Sequence, residues 1–236
     1  MQKLLILAIA LTVAISANAG FLGSKSVAEN TDAPNKDYDT VNGSVSIGGN
    51  SKVGDLSTVN GSVKVDALST IGTAETVNGS IVLKDGVKAE SVETVNGSIK
   101  LGEGCYIEKN VETVNGSIIT QSSSEIGGDI ETVNGKISIT NTLVKGSITA
   151  VNGKILVLDQ SVVSGDIVIK KSNGFFNSSK NKKPIVVLGK NVIVEGSLEF
   201  AKPVKLYVHE SVEIDSDINN AEVETFSGDL PKSFEK

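Results

Sequence analysis

The chain has no tryptophan, no arginine, one cysteine, one histidine and one methionine in 236 residues, and aromatic side chains make up only 4% of it. Each scarcity excludes something. With Cys105 alone no intrachain disulfide can form, and no Cys/His spacing of the kind that marks a zinc site is present. Without arginine the chain lacks the usual bidentate reader of phosphate and carboxylate. The 28 acidic residues against 22 lysines leave a formal net charge of −6, which argues against a nucleic-acid-binding surface. No phosphate-binding loop appears, and no cofactor or metal is expected.

Long hydrophobic runs are missing after the first residues, since no later stretch approaches the ~20 apolar residues of a membrane-spanning helix. The one run lies at the start. Lys3, the apolar segment from Leu4 to Ile15 and the small-residue pattern Ala17-Asn18-Ala19 predict a secretory signal peptide over 1–19. The expectation is an exported protein, periplasmic, secreted or at the cell surface, without a lipid anchor, because no cysteine adjoins the cleavage point.

What the sequence has in abundance is one tripeptide. Val-Asn-Gly recurs with its asparagine at Asn42, Asn60, Asn78, Asn96, Asn115, Asn134 and Asn152, in steps of 18, 18, 18, 19, 19 and 18. Numbered from the motif valine, position +4 holds Val45, Val63, Ile81, Ile99, Ile118, Ile137 and Ile155, and +6 is aliphatic except at Thr120. Further apolar columns lie about twelve residues after the valine and three before the next one. The valine itself is expected to complete five inward positions per unit. A helix would be broken by each Asn-Gly and disfavoured by so much Val, Ile and Thr. Hairpins would not need identical residues at identical offsets; stacked parallel coils do, because each side chain sits on its counterpart one coil away.

The predicted fold is therefore all-β, a single-stranded parallel β-helix: a three-faced solenoid of about ten coils of ~18 residues, some 45 to 50 Å long. The crossover rule points to a right-handed coil, while aliphatic residues six apart, such as Val41, Ile47, Val53 and Val59, imitate left-handed hexapeptide helices. The coil is expected to turn at Asn-Gly, with glycine supplying a positive φ. The seven asparagines form a ladder satisfying half-buried turn groups. "VSGDI" at 163–167 and "VEGSL" at 194–198 continue the coils after the motif fades. The expected organisation is a leader or N-terminal cap over 20–38, the solenoid over 39–228 with an inserted loop at 170–183, and a tail over 229–236.

Few residues suggest chemistry. Glu75, Glu93, Glu112 and Glu131 share one column, which strand parity would turn inward unless the chain bends there; a solvated acidic stripe is the plain reading, a Ca²⁺-bridged ladder the sharper one. The adjacent threonines, Thr40 to Thr132, form an array of the kind that can bind ice. His209 and Glu210 lack any nucleophile elbow, and Cys105 reads as a small buried hydrophobe. The insertion "KKSNGFFNSSKNKK" concentrates Lys170, Lys171, Lys180, Lys182 and Lys183 around Phe175 and Phe176. That combination suits an acidic polysaccharide of a cell surface or anionic lipid head groups.

The "ETVNGSI" units resemble bacterial cell-envelope β-solenoids classed as adhesins, over about 40–170. The "GDI" and "GSI" coils are more distantly similar to bactofilins, polymer-forming cytoskeletal proteins, from which this chain departs by its export signal. The resemblance implies a non-catalytic structural or adhesive protein of the envelope, able to self-assemble end to end through its solenoid ends. The alternative is a carbohydrate-active β-helix enzyme of the polysaccharide-lyase type, for which a converging base and charge-neutralising groups are needed. A left-handed acyltransferase fits less well, because export separates it from an activated acyl donor.

Overall fold

The computed structural model describes residues 22–171, 183–214 and 218–230, and in them the chain is all-β. Parallel strands stack as a β-solenoid of about ten turns with ~18 residues per turn. One coil illustrates the rest. Leu56–Asn60 lies on a first face, Val63–Val65 on a second, and a single bridge at Thr70 marks the third. The next coil begins with Ala74–Asn78, paired so that Thr58 meets Thr76 and Asn60 meets Asn78. Like therefore stacks on like, and the sequence repeat is the register of the sheet.

The first-face strand alternates buried and half-exposed from its first residue: Leu56 in, Ser57 out, Thr58 in, Val59 out. The motif valine was expected inside; it is half-exposed on the outer side at Val41, Val59, Val77, Val95 and Val114 and buried only at Val133 and Val151, while the threonine before it is buried in every coil that has one. Thr40, Thr58, Thr76, Thr94, Thr113 and Thr132 are at most 3% exposed. A buried hydroxyl needs a partner. Each threonine Oγ1 donates to a glycine carbonyl of the preceding coil at 2.8 to 3.3 Å, as Thr58 does to Gly43. The remaining expected columns, represented by Ile47, Leu56, Val63 and Ile71, are buried and form one continuous core.

The Asn-Gly corner also differs from expectation. None of the seven motif asparagines has a positive φ, nor do the motif glycines Gly43, Gly61, Gly79, Gly97, Gly116 and Gly135. Glycine is required there by close approach: a Cβ on Gly61, Gly79, Gly97, Gly116 or Gly135 would lie 1.8 to 1.9 Å from the carbonyl oxygen of the glycine one coil back. The chain passes through this corner nearly as a strand, and in Ile130–Thr140 and Ile148–Leu158 it is one unbroken strand. The left-handed residues occupy the next corner instead, at Asn50, Leu68, Gly86, Gly104, Ser123, Asn141 and Gln160.

A third corner is fastened by a Gly-Asp or Gly-Ser pair. Asp55 Oδ1 accepts from Thr73 N at 2.8 Å, Asp129 Oδ1 from Ser147 N at 2.8 Å and Asp166 Oδ1 from Ser197 N at 2.8 Å. The glycine leaves room for that carboxylate: a Cβ on Gly72 would stand 2.0 Å from Asp55 Oδ1.

The ends extend the stack. Lys25–Val27 pairs with Val45–Ile47 and Asp32–Ala33 with Lys52–Val53, so the solenoid begins within the stretch expected as a leader or cap rather than at 39. At the other end Ala221–Phe226 pairs with Val204–His209. Between Ile167–Ile169 and Ile185–Leu188 the register places the insertion where other coils have Asn-Gly-Ser. Ala150 and Lys154 are four residues apart, whereas their partners Ile169 and Ile185 are sixteen apart.

Candidate functional site

The seven predicted ladder asparagines do form a ladder. Each Nδ2 donates to the Oδ1 of the preceding asparagine, from Asn60 to Asn42 up to Asn152 to Asn134, at 2.8 to 3.0 Å. The bonds run between side chains on the outside of the rod, with Asn42 to Asn115 exposed, so the ladder does not satisfy half-buried turn amides. Those are joined by the backbone, Gly61 N donating to Asn78 O at 3.2 Å and Gly79 N to Asn96 O at 3.1 Å. The amides are thus consumed by one another, and this column is structural.

Beside it on the first face stand Glu75, Glu93, Glu112 and Glu131, in register from coil to coil and half-exposed. No bend turns them outward. Parity alone does so, once Leu56 and Thr58 are the inward pair. Partial burial raises the carboxyl pKa of Glu75, with Asp55 and Asp39 adding to it. Burial first, then Glu112 and Glu75 on either side, push Glu93 up to about 7. Burial also raises Glu112, against a hydrogen bond from Asn110. Within this column, spaced at ~4.8 Å, Glu93 is the carboxyl that burial and its two like-charged neighbours bring to neutrality. Its acids are spread along the axis instead of converging, and among the described residues no group of three or more His, Cys, Asp or Glu side chains is placed to hold a metal ion.

The threonine array is inside the rod and presents no surface for ice. Cys105 is buried, as expected, in a column with Ser69, Val87 and Ser124; its Sγ lies 3.3 Å from Lys84 O, and burial raises the thiol pKa. Thr120, the polar exception in its column, is buried opposite Thr142 with the two hydroxyl oxygens 2.8 Å apart. His209 is 4% exposed, with Nδ1 2.8 Å from Ser211 Oγ and its ring edge-on to Phe226. It is an ordinary packed histidine with a local partner.

Of the expected surface-binding residues, Phe175, Phe176, Lys180 and Lys182 lie outside the described residues. The roots of the insertion are described. Lys170 Nζ is 3.7 Å from Glu131 Oε1 and Lys183 pairs with Glu222, while Lys171 is exposed. Two of the five lysines are therefore tied to acids of the rod. Lys202, in the coil after the insertion, reaches back to Asn152 Oδ1 at 2.9 Å, and burial lowers its ammonium pKa.

A further surface was not read from the sequence. On the third face Tyr106, Glu125, Leu143, Val162 and Ile193 stack in register with their side chains outward. Along its edge run the left-handed residues of the second corner. Between the two lies a shallow pocket of about 270 Å³ lined by Ser123, Glu125, Asn141, Leu143, Gln160 and Val162. Glu125 is paired with Lys145 at 2.7 Å. Among the described residues the side-chain amides of Asn141 and Gln160 have no hydrogen-bond partner; their backbones do, with Asn141 N donating to Leu158 O, Asn141 O accepting from Ser123 N and Gln160 N donating to Lys190 O. The sequence signal is slight: the outward column reads Lys52, Thr70, Lys88, Tyr106 and Glu125 before it turns aliphatic at Leu143, Val162 and Ile193, so only its last coils depart from the polar residues that solvent favours.

Comparison of the chain with protein-family models, curated proteins and solved structures finds no match.

Proposed function

We propose that the chain is an exported, non-catalytic structural or adhesive rod of the bacterial cell envelope. The observation that supports this reading best is the use to which the repeated polar residues are put: asparagine, threonine and aspartate columns all bond one coil to the next. Such continuous bonding suits a stiff spacer. The insertion, rooted by Lys170 and Lys183, is the element that the rod would present to an acidic polysaccharide or an anionic lipid surface. The strand edges at the two ends suit end-to-end assembly, a head-to-tail contact that does not close.

The test is incubation of the chain from Gly20 onward with cell-wall fractions, acidic polysaccharides and anionic vesicles, scoring retention and cleavage together. Retention without new chain ends, weakened by salt and lost when 172–182 is replaced by a short turn, is the expected result. Release of shortened polysaccharide would overturn the non-catalytic reading. Unchanged retention after the replacement would remove the insertion as the contact.

A further inference from the structure

Among the described residues, Asn141 and Gln160 carry side-chain amides that no neighbouring coil uses. At the first corner the asparagine amides pair with each other, and at the third the aspartates hold backbone N–H groups. At the second corner Asn141 and Gln160 are forced into left-handed conformations at φ 42° and 57°, and their amides project free beside the pocket. The floor next to them is aliphatic, Leu143 stacked on Val162. Exposed Ile193, at 54%, extends it on one side, and on the other Glu125 separates Leu143 from exposed Tyr106. An open trough running across coils accommodates a linear chain better than a compact molecule. Its polar edge is made of amides and a hydroxyl, and its single carboxylate, Glu125, is compensated by Lys145, so it offers little attraction for a charged ligand.

From this we infer that the third face binds a neutral polysaccharide strand, laid along the rod axis with apolar sugar faces on Leu143 and Val162 and hydroxyls bonded to Asn141 and Gln160. Sugar rings present that combination, flat C–H faces rimmed by donors and acceptors, and match an aliphatic ledge edged by uncharged amides. A peptide strand would instead seek an unpaired sheet edge, and here the strands under the trough are paired on both sides. The inference rests on the binding part of the proposed function. It does not depend on the insertion, which leaves the rod at the corner between the first and second faces.

The test uses the chain from Gly20 onward and soluble neutral oligosaccharides of several linkages, β-1,4-glucan, α-1,4-glucan and β-1,4-linked N-acetylglucosamine, with an oligogalacturonide as the acidic probe. Titration followed by NMR or calorimetry should give binding of at least one neutral probe with a dissociation constant on the order of millimolar, insensitive to salt. Gln160→Ala and Leu143→Asp should each weaken it at least tenfold at unchanged thermal midpoint, and Asn141→Gly, which keeps the left-handed backbone, should do the same. Replacing 172–182 by a short turn should leave it intact. Binding of no neutral probe, binding indifferent to all three variants, or salt-sensitive binding of the acidic probe alone would each overturn the inference. The last would still be compatible with a lysine-bearing insertion.

Discussion

Lys202 Nζ donates to Asn152 Oδ1 at 2.9 Å, across fifty positions of sequence, and so closes the open end of the asparagine ladder. Every rung points the same way, Nδ2 toward the preceding coil, which leaves the last Oδ1 facing the interrupted coil. An ammonium there meets the acceptor end of a row of aligned amide dipoles. Lys202→Met should lower stability by about 1 kcal/mol, a charge-assisted bond discounted for partial exposure. Hydrogen exchange should quicken chiefly in 148–158. Uniform exchange changes along the whole rod, or none, would show that the cap has no local role.

At the same corner, glycine and asparagine should differ in importance. Gly97→Ala forces a Cβ to 1.8 Å from Gly79 O and must separate two coils, at an expected loss of 3 kcal/mol or more by order of magnitude. Asn96→Ala removes two exposed side-chain bonds, to Asn78 and from Asn115, and should cost only about 1 kcal/mol. Urea denaturation of the two variants checks the order. An asparagine variant as unstable as the glycine variant would mean that the ladder, not the close approach, governs this corner.

Leu68 holds φ at 59° and is 67% exposed, in a column whose other members include Asn50, Gly86 and Gly104. A left-handed conformation costs an ordinary L-residue roughly 1 to 2 kcal/mol. Leu68→Asn should therefore stabilise the rod by about 0.5 to 1 kcal/mol, read as a rise in thermal midpoint. A fall would indicate that the leucine side chain packs usefully against Gly86.

The glutamate column makes stability fall with rising pH. Glu93 titrates at about 7 in the folded rod against 4.5 for the ordinary side chain. Below the lower value both states are protonated and nothing is lost. Between the two, the unfolded chain has released a proton that the folded one still holds, so unfolding gains on folding as pH rises; above about 7 the penalty is constant. Glu75 and Glu112 are shifted in the same direction. The urea midpoint should drop from pH 5 to pH 8, and Glu93→Gln should recover on the order of 1 kcal/mol at pH 8 while flattening the profile. A parent midpoint that rises over this range would contradict the sign.

The sequence by itself determined the solenoid. A period of 18 to 19 with β-branched columns at constant offsets requires in-register parallel stacking, because no other arrangement brings each residue beside its equivalent. It determined the asparagine ladder and the place of the insertion for the same reason. It did not determine which neighbour faces inward. Val59 and Thr58 are adjacent, and the chain solved the choice by parity from Leu56, burying a hydroxyl because Gly43 O lies within reach to accept it. Nor did it reveal why Gly follows Asn: close approach between coils and a left-handed turn both select glycine, and only the three-dimensional path separates them. The trough on the third face belongs wholly to tertiary structure. Leu143 lies in one coil and Gln160 and Val162 in the next, and only stacking turns single outward side chains into a continuous surface.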